Sequence, residues 1–246
     1  MKVTLADFTG KGSPNEKWRA AELMMWTKAT RVKMGPDGLD EIASWTEEKK
    51  MEELAYMANT IPSSWEFCNY VFFVEGVTRS LTHQFVRTRT MSFAQQSMQI
   101  MDMSGFDYHV GPSIASSQER EKKYRAAIKV ANDTYHELVQ DGTVVADARD
   151  LLPHGIFTNI VAQANLRSLC DFLATRASSR NLGEITIMTA AMKSAVLAVH
   201  PWASLFLDRT ADRAAADLDA LLKFAVADDQ LRAAALKLVD QLRARS

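Results

Sequence analysis

Cysteine is nearly absent: Cys68 and Cys170 are the two thiols in 246 residues. That excludes a disulfide-stapled fold and any four-cysteine zinc centre, and both lie in apolar stretches where a thiol packs rather than reacts. The five histidines, His83, His109, His136, His154 and His200, nowhere form His-x-x-x-His, so the sequence supplies no metal site. No apolar run reaches the roughly 18 residues that a membrane span needs. The opening MKVTLADFTG lacks the basic-then-apolar layout of a signal peptide, so the expectation is a cytoplasmic chain with no membrane partner. Excess charge is lacking too. With Lys+Arg 29 against Asp+Glu 30, bulk electrostatics argue against a nucleic-acid partner. Also missing are Gly-x-Gly-x-x-Gly, a Gly-rich phosphate loop ending in Lys-Ser/Thr, and Gly-x-Ser-x-Gly.

What is present is enough to fold. Apolar residues make up 47% of the chain and charged residues 24%, which excludes global disorder and allows a sizeable core. No composition shift marks a boundary, so one domain over 1–246 is expected. Residues 2–8 alternate as a short strand, and Ser13-Pro14-Asn15-Glu16 carries the signals of a helix start. A second helix is expected over 44–59, with Trp45, Met51, Leu54 and Ala55 on its apolar side. The aromatic and β-branched run 66–77 reads as a central strand buried on both faces. Helices are expected over 116–141, 144–152, 166–177 and 184–199, with 154–165 a mixed stretch. Residues 211–246 read as one or two amphipathic helices that pack rather than react. The class is α+β, a small sheet flanked by long helices.

Arginine carries the chemistry. Arg79, Arg87 and Arg89 flank a segment holding His83, Gln84, Ser92, Gln95, Gln96, Ser97 and Gln99. Arg149 precedes Leu151-Leu152-Pro153, and Arg167, Arg176 and Arg180 follow in a helix and its exit. Guanidinium suits bidentate recognition of phosphate and carboxylate and stacks on rings. A solvated charged face is the bland reading, but between Val77 and Met101 no Asp or Glu is available to pair with these cations. Ser and Gln crowd the same segment, and it follows directly on a strand. A phosphate-bearing ligand fits these observations.

The same residues bear a resemblance. Arg87-Thr88-Arg89, seven residues, then Ser97 resembles the Arg-His-Arg-x7-Ser signature of flavin-dependent thymidylate synthases. Thr82-His83-Gln84-Phe85-Val86 before it and Ser92-Phe93-Ala94-Gln95-Gln96 within it are similar to that family's text. Arg149-x-x-Leu152-Pro153, Asn165-x-Arg167-Ser168-Leu169, Phe172-Leu173-x-x-Arg176 and Glu184-Ile185 follow in family order, so the likeness covers about residues 60–200.

The resemblance implies the α+β fold of thymidylate synthase-complementing proteins and a homotetramer binding FAD where subunits meet. It implies reductive methylation of a pyrimidine deoxynucleotide, dUMP, with methylenetetrahydrofolate and NADPH as co-substrates. By position, Arg87, Thr88, Arg89, Gln95, Asn165, Arg167, Asp171 and Arg180 would bind the cofactor. Gln84, Arg87, Gln95, Gln96, Ser97, Gln99, Arg149 and Arg176 would face the nucleotide, with Arg176 and Ser97 catalytic. The chain departs from the pattern at Thr88 for a His, Gln95 for an acid, Gln99 for an Arg, Asp171 for an Asn and Arg180 for a His. Two further readings accompany the first. One is a same-fold enzyme that methylates or hydroxymethylates another pyrimidine deoxynucleotide such as dCMP. The other is a non-catalytic flavin- or nucleotide-binding paralogue.

Overall fold

A computed structural model describes residues 1–28, 37–176 and 183–208, with positions 233 and 236. Arg180 and nearly all of the helices expected over 211–246 lie outside the described residues.

Four strands form one antiparallel sheet in the order β1-β2-β4-β3, from β1 (Lys2–Phe8), β2 (Asn69–Thr78), β3 (Ser92–Gln95) and β4 (Phe157–Asn165). Around it lie α1 (Glu16–Lys28), α2 (Gly38–Ala43), α3 (Glu47–Thr60), α4 (Arg79–Phe85), α5 (Pro112–Ala115), α6 (Gln118–Gln140), α7 (Val145–Ala148), α8 (Leu166–Arg176), α9 (Gly183–Val199) and α10 (Ser204–Leu207). The mixed stretch 154–165 becomes a strand because alternate residues Thr158, Ile160, Ala162 and Ala164 point to one buried face. Across β2, Tyr70, Phe72 and Val74 do the same. These side chains meet Leu166, Leu169 and Phe172 of α8 and Ile185, Met188 and Met192 of α9 in the main core.

Three expectations need correcting. β2 is central but not buried on both faces: Val71, Phe73 and Glu75 on its other side are half-exposed. The continuous apolar run hid a period of two, because its outward residues are apolar as well. The first helix starts at Glu16, not Ser13, since Gly10 to Asn15 are held in turns and Trp18 and Arg19 donate back to the Asn15 carbonyl. In α3 the buried side is Lys50, Leu54, Met57 and Ala58, whereas Met51 and Ala55 are exposed. The buried Lys50 ammonium is matched by Glu22 at 2.8 Å, which is what permits a lysine in that position.

One irregularity aims the chain at the site. Between Val74 and Val77, β2 carries one residue more than β4, a bulge at Glu75-Gly76. Gly76 has φ +64°, and its N–H donates to Asn159 Oδ1 at 3.1 Å. Past the bulge, Val77 and Thr78 are both buried and the chain turns into α4. A satellite core of Tyr135, Ala148, Leu152 and Ile156 supports the other wall, and Tyr135 Oη accepts from Met103 N at 3.1 Å.

Candidate active site

Helix α4 is the hub. Thr78 caps it, its Oγ1 accepting from Leu81 N at 3.0 Å. Glu184 of α9 fixes that cap from behind: its carboxylate accepts from Thr78 N at 2.9 Å and from Thr78 Oγ1 at 2.7 Å. The Glu184-Ile185 motif thus acts through α4, a role that spacing alone did not reveal.

Arg79, the first residue of α4, reaches across to the strand exit, where its Nη2 donates to the Gln96 carbonyl at 2.7 Å. Its Nε is buried with no hydrogen-bond partner among the described residues. Burial, and then the nearby Arg149 guanidinium, push the Arg79 pKa down. Arg79, Arg149, His83, His154, Asp150 and Met98 line a cavity of about 170 Å³. No carboxylate forms an ion pair with either arginine among the described residues.

Of the sequence-predicted nucleotide set, Gln84 lies on the same helix, and Gln95 and Arg176 bond to it. Gln95 on β3 is half-buried and donates from Nε2 to Thr82 Oγ1 at 3.0 Å, so it is neither a bare surface residue nor a charge. Arg176, at the end of α8, donates from Nη2 to the Gln84 carbonyl at 3.3 Å. Ser97 and Gln99 are exposed just past β3, where Ser97 Oγ accepts from Gln99 N at 3.1 Å and rounds the turn. Gln96 donates to the Met101 sulfur at 3.2 Å.

Of the residues expected at the cofactor, Arg87, Thr88 and Arg89 lie towards the opposite end of β3 from Gln95. Register places Gln95 opposite Ile160 but Ser92 opposite Gln163, so the Arg87–Met91 turn approaches the end of β4 that carries Asn165. That turn is built by main-chain bonds from Thr88 N to Phe85 O at 3.0 Å and from Met91 N to Thr88 O at 3.1 Å, with Met91 buried. Arg87 and Arg89 stand exposed on it, and Thr88 is half-buried. Neither arginine has an ion-pair partner among the described residues, so the turn presents two guanidiniums suited to an anionic group.

Not every expected residue joins the cluster. Asn165 uses Oδ1 to accept from Ser168 N at 2.8 Å, which caps α8. Arg167 donates to Glu66 at 2.7 Å. Both therefore carry structural duties within the chain, while Asp171 is exposed on α8. Among the described residues no group of three His, Cys, Asp or Glu side chains could hold a metal ion, and no helix is long and apolar enough to cross a membrane.

Comparison with known proteins gives the family. Residues 15–202 match the family described as thymidylate synthase complementing protein. The chain belongs to that family. Among relatives named flavin-dependent thymidylate synthase, that of Geobacter sulfurreducens is 33% identical over 138 residues, 55% of this chain and 60% of that protein. That of Sulfurisphaera tokodaii is 37% identical over 134 residues, spanning 54% of this chain and 51% of the relative. A longer match, to the Clostridium tetani protein, is 28% identical over 219 residues, 82% of this chain and 84% of that one. The first two matches therefore span little more than half of those relatives. Membership of the thymidylate synthase complementing family agrees with the α+β architecture.

Proposed function

We propose that the chain is a flavin-dependent thymidylate synthase that converts dUMP to dTMP, taking the carbon from methylenetetrahydrofolate and reducing equivalents from NADPH through FAD. The observation that carries this reading is the gathering of guanidinium groups along α4: Arg79 and Arg149 in the cavity at its start and Arg176 on the Gln84 carbonyl near its end, with Gln95 bonded to Thr82 between. FAD, when bound, supplies the redox chemistry. The chain's own residues do the holding and orienting. Arg87 and Arg89 match the charge of the cofactor, and Arg149 matches that of the nucleotide phosphate. Arg176, steadied on the Gln84 carbonyl, is placed to polarise a pyrimidine carbonyl, and Ser97 and Gln95 orient the base and sugar by neutral hydrogen bonds. Neither thiol serves as a nucleophile in this scheme. Both are buried, and burial raises the Cys68 pKa to about 12.

A homotetramer with flavin at subunit contacts fits the sheet, whose second face presents half-exposed Val71, Phe73 and Val161. The decisive experiment is mass spectrometry of products from dUMP and from dCMP, each with methylenetetrahydrofolate and reduced flavin. Mass gain on dUMP alone is expected. Gain on dCMP alone would replace dUMP by the other pyrimidine, and no gain on either would leave a binding paralogue.

A further inference from the structure

The cavity beside α4 holds more ionisable groups than phosphate recognition by two arginines requires. Arg79 and Arg149 are its two cationic lining residues, and Asp150 is its one acidic one. At its mouth, exposed, stand His83 of α4 and His154 of the segment after Pro153, their rings edge-to-face with centroids 4.9 Å apart. Two positive charges less one negative leave a net of one while both imidazoles are neutral. A phosphomonoester at neutral pH carries close to two negative charges. One added proton on the imidazole pair balances the account, and a second is opposed by the first across so short a gap.

We propose that binding of the nucleotide phosphate in this cavity takes up a proton from solvent onto the His83–His154 pair, making these two histidines part of the phosphate site. This inference rests on the nucleotide reading above but adds residues and a proton to it. Imidazole is the side chain able to change charge between pH 5 and 8. The groups facing the pair are Arg79 on α4, Arg149 and Asp150 on the turn Arg149–Leu151, and apolar Met98 after β3. Close by are Tyr124 of α6 and His109, whose N–H donates to the Gly155 carbonyl at 2.9 Å and whose carbonyl accepts from Tyr124 Oη at 3.0 Å. The Tyr124 hydroxyl is committed to that carbonyl and the His109 ring lies edge-on to Phe157 with centroids 6.4 Å apart, and neither lines the cavity, which leaves His83 and His154 as the pair at the mouth.

The test is calorimetric titration of the FAD-loaded protein at pH 7 with dUMP, dCMP and deoxyuridine, in several buffers of different ionisation enthalpy. Net uptake of about half a proton or more with the nucleotide, and close to none with deoxyuridine, is expected. Residual protonation of the phosphate itself would release protons on binding, so it cannot imitate this sign. H154Q and H83Q should each reduce the uptake and weaken nucleotide binding roughly three- to fivefold at pH 6, with little change at pH 8. Binding of dUMP without uptake, or uptake untouched in both variants, overturns the proton-coupled site and leaves the dUMP reading standing. Binding of dCMP alone, with uptake, does the reverse. Failure of both nucleotides to bind overturns the two together.

Discussion

Arg79 Nη2 and the Gln96 carbonyl lie 2.7 Å apart, and this single bond ties the first turn of α4 to the exit of the edge strand β3. Together with the Gln95–Thr82 bond and the Gln96 N–H on the Asn159 carbonyl, it holds the backbone that leads to Ser97 and Gln99 against the arginine that walls the cavity.

Replacing Arg79 by Lys keeps the charge but loses the planar fork. Nucleotide affinity should fall about tenfold or more, with flavin affinity changed far less. Parallel titrations of R79K with dUMP and FAD check this, and an equal loss in both would mean that the loop as a whole had collapsed.

Arg176→Ala should abolish measurable nucleotide binding while flavin stays in place. A lost charge-assisted hydrogen bond costs roughly 1.5–3 kcal/mol, and more if its partner stays buried. Calorimetry giving wild-type nucleotide affinity would remove Arg176 from the site.

Glu184→Gln tests the support behind α4. The carboxylate accepts from Thr78 N on one oxygen and from Thr78 Oγ1 on the other, whereas an amide keeps one acceptor and sets an NH2 in place of the second, so destabilisation of about 1–3 kcal/mol is expected. Urea denaturation reads the stability, and nucleotide affinity should fall with it because the α4 start carries Arg79.

Thr88→His places a ring on a half-buried turn residue whose geometry is set by main-chain bonds. Flavin affinity should hold or rise. Overpacking costs about 1–3 kcal/mol, so a clear drop in a flavin fluorescence titration would show that the turn has been remodelled around threonine.

His200 predicts an acid limb of stability. Fully buried against Phe8 and Trp202, it meets Tyr70 Oη through Nδ1 at 3.0 Å, and burial pushes its pKa down to about 4. In the unfolded chain the imidazole titrates near its ordinary 6.5. Between those values the unfolded chain binds the extra proton, so stability falls as pH drops from about 6.5 towards 4, by up to ~3 kcal/mol. Urea unfolding at pH 7 and pH 5 should show the loss in wild type and a shallower one in H200N, whatever that variant costs at pH 7.

Much of the site was legible because its residue types are unusual together: a run of arginines, Gln and Ser without a carboxylate has few structural explanations. Burial patterns were less legible. β2 looks covered on both faces because Val71 and Phe73 are as apolar as Tyr70 and Phe72, and only the packing of α8 and α9 against one face separates them. β4 itself was hidden by polar Thr158, Asn159 and Gln163 within the strand. His154 and Asp150 were passed over since neither forms a local motif. They meet His83 and Arg79 only when the turn after α7 folds against α4, a long-range contact that sequence spacing does not encode. Asn165 and Arg167 matched a family text, yet the cap on Ser168 and the pair with Glu66 appear only in three dimensions.

The bulge at Gly76 makes β2 a phased element. Before it, even-numbered side chains face the core; after it, the extra residue has reset the count, and the direction in which Arg79 leaves the sheet depends on that reset. Length changes upstream in β2 are therefore tolerable in pairs, whereas a one-residue insertion or deletion would swing the cationic helix to the wrong side of the sheet with its sequence intact. Among natural variants or recombined chains, parity in this strand should be kept more strictly than the identity of any residue within it.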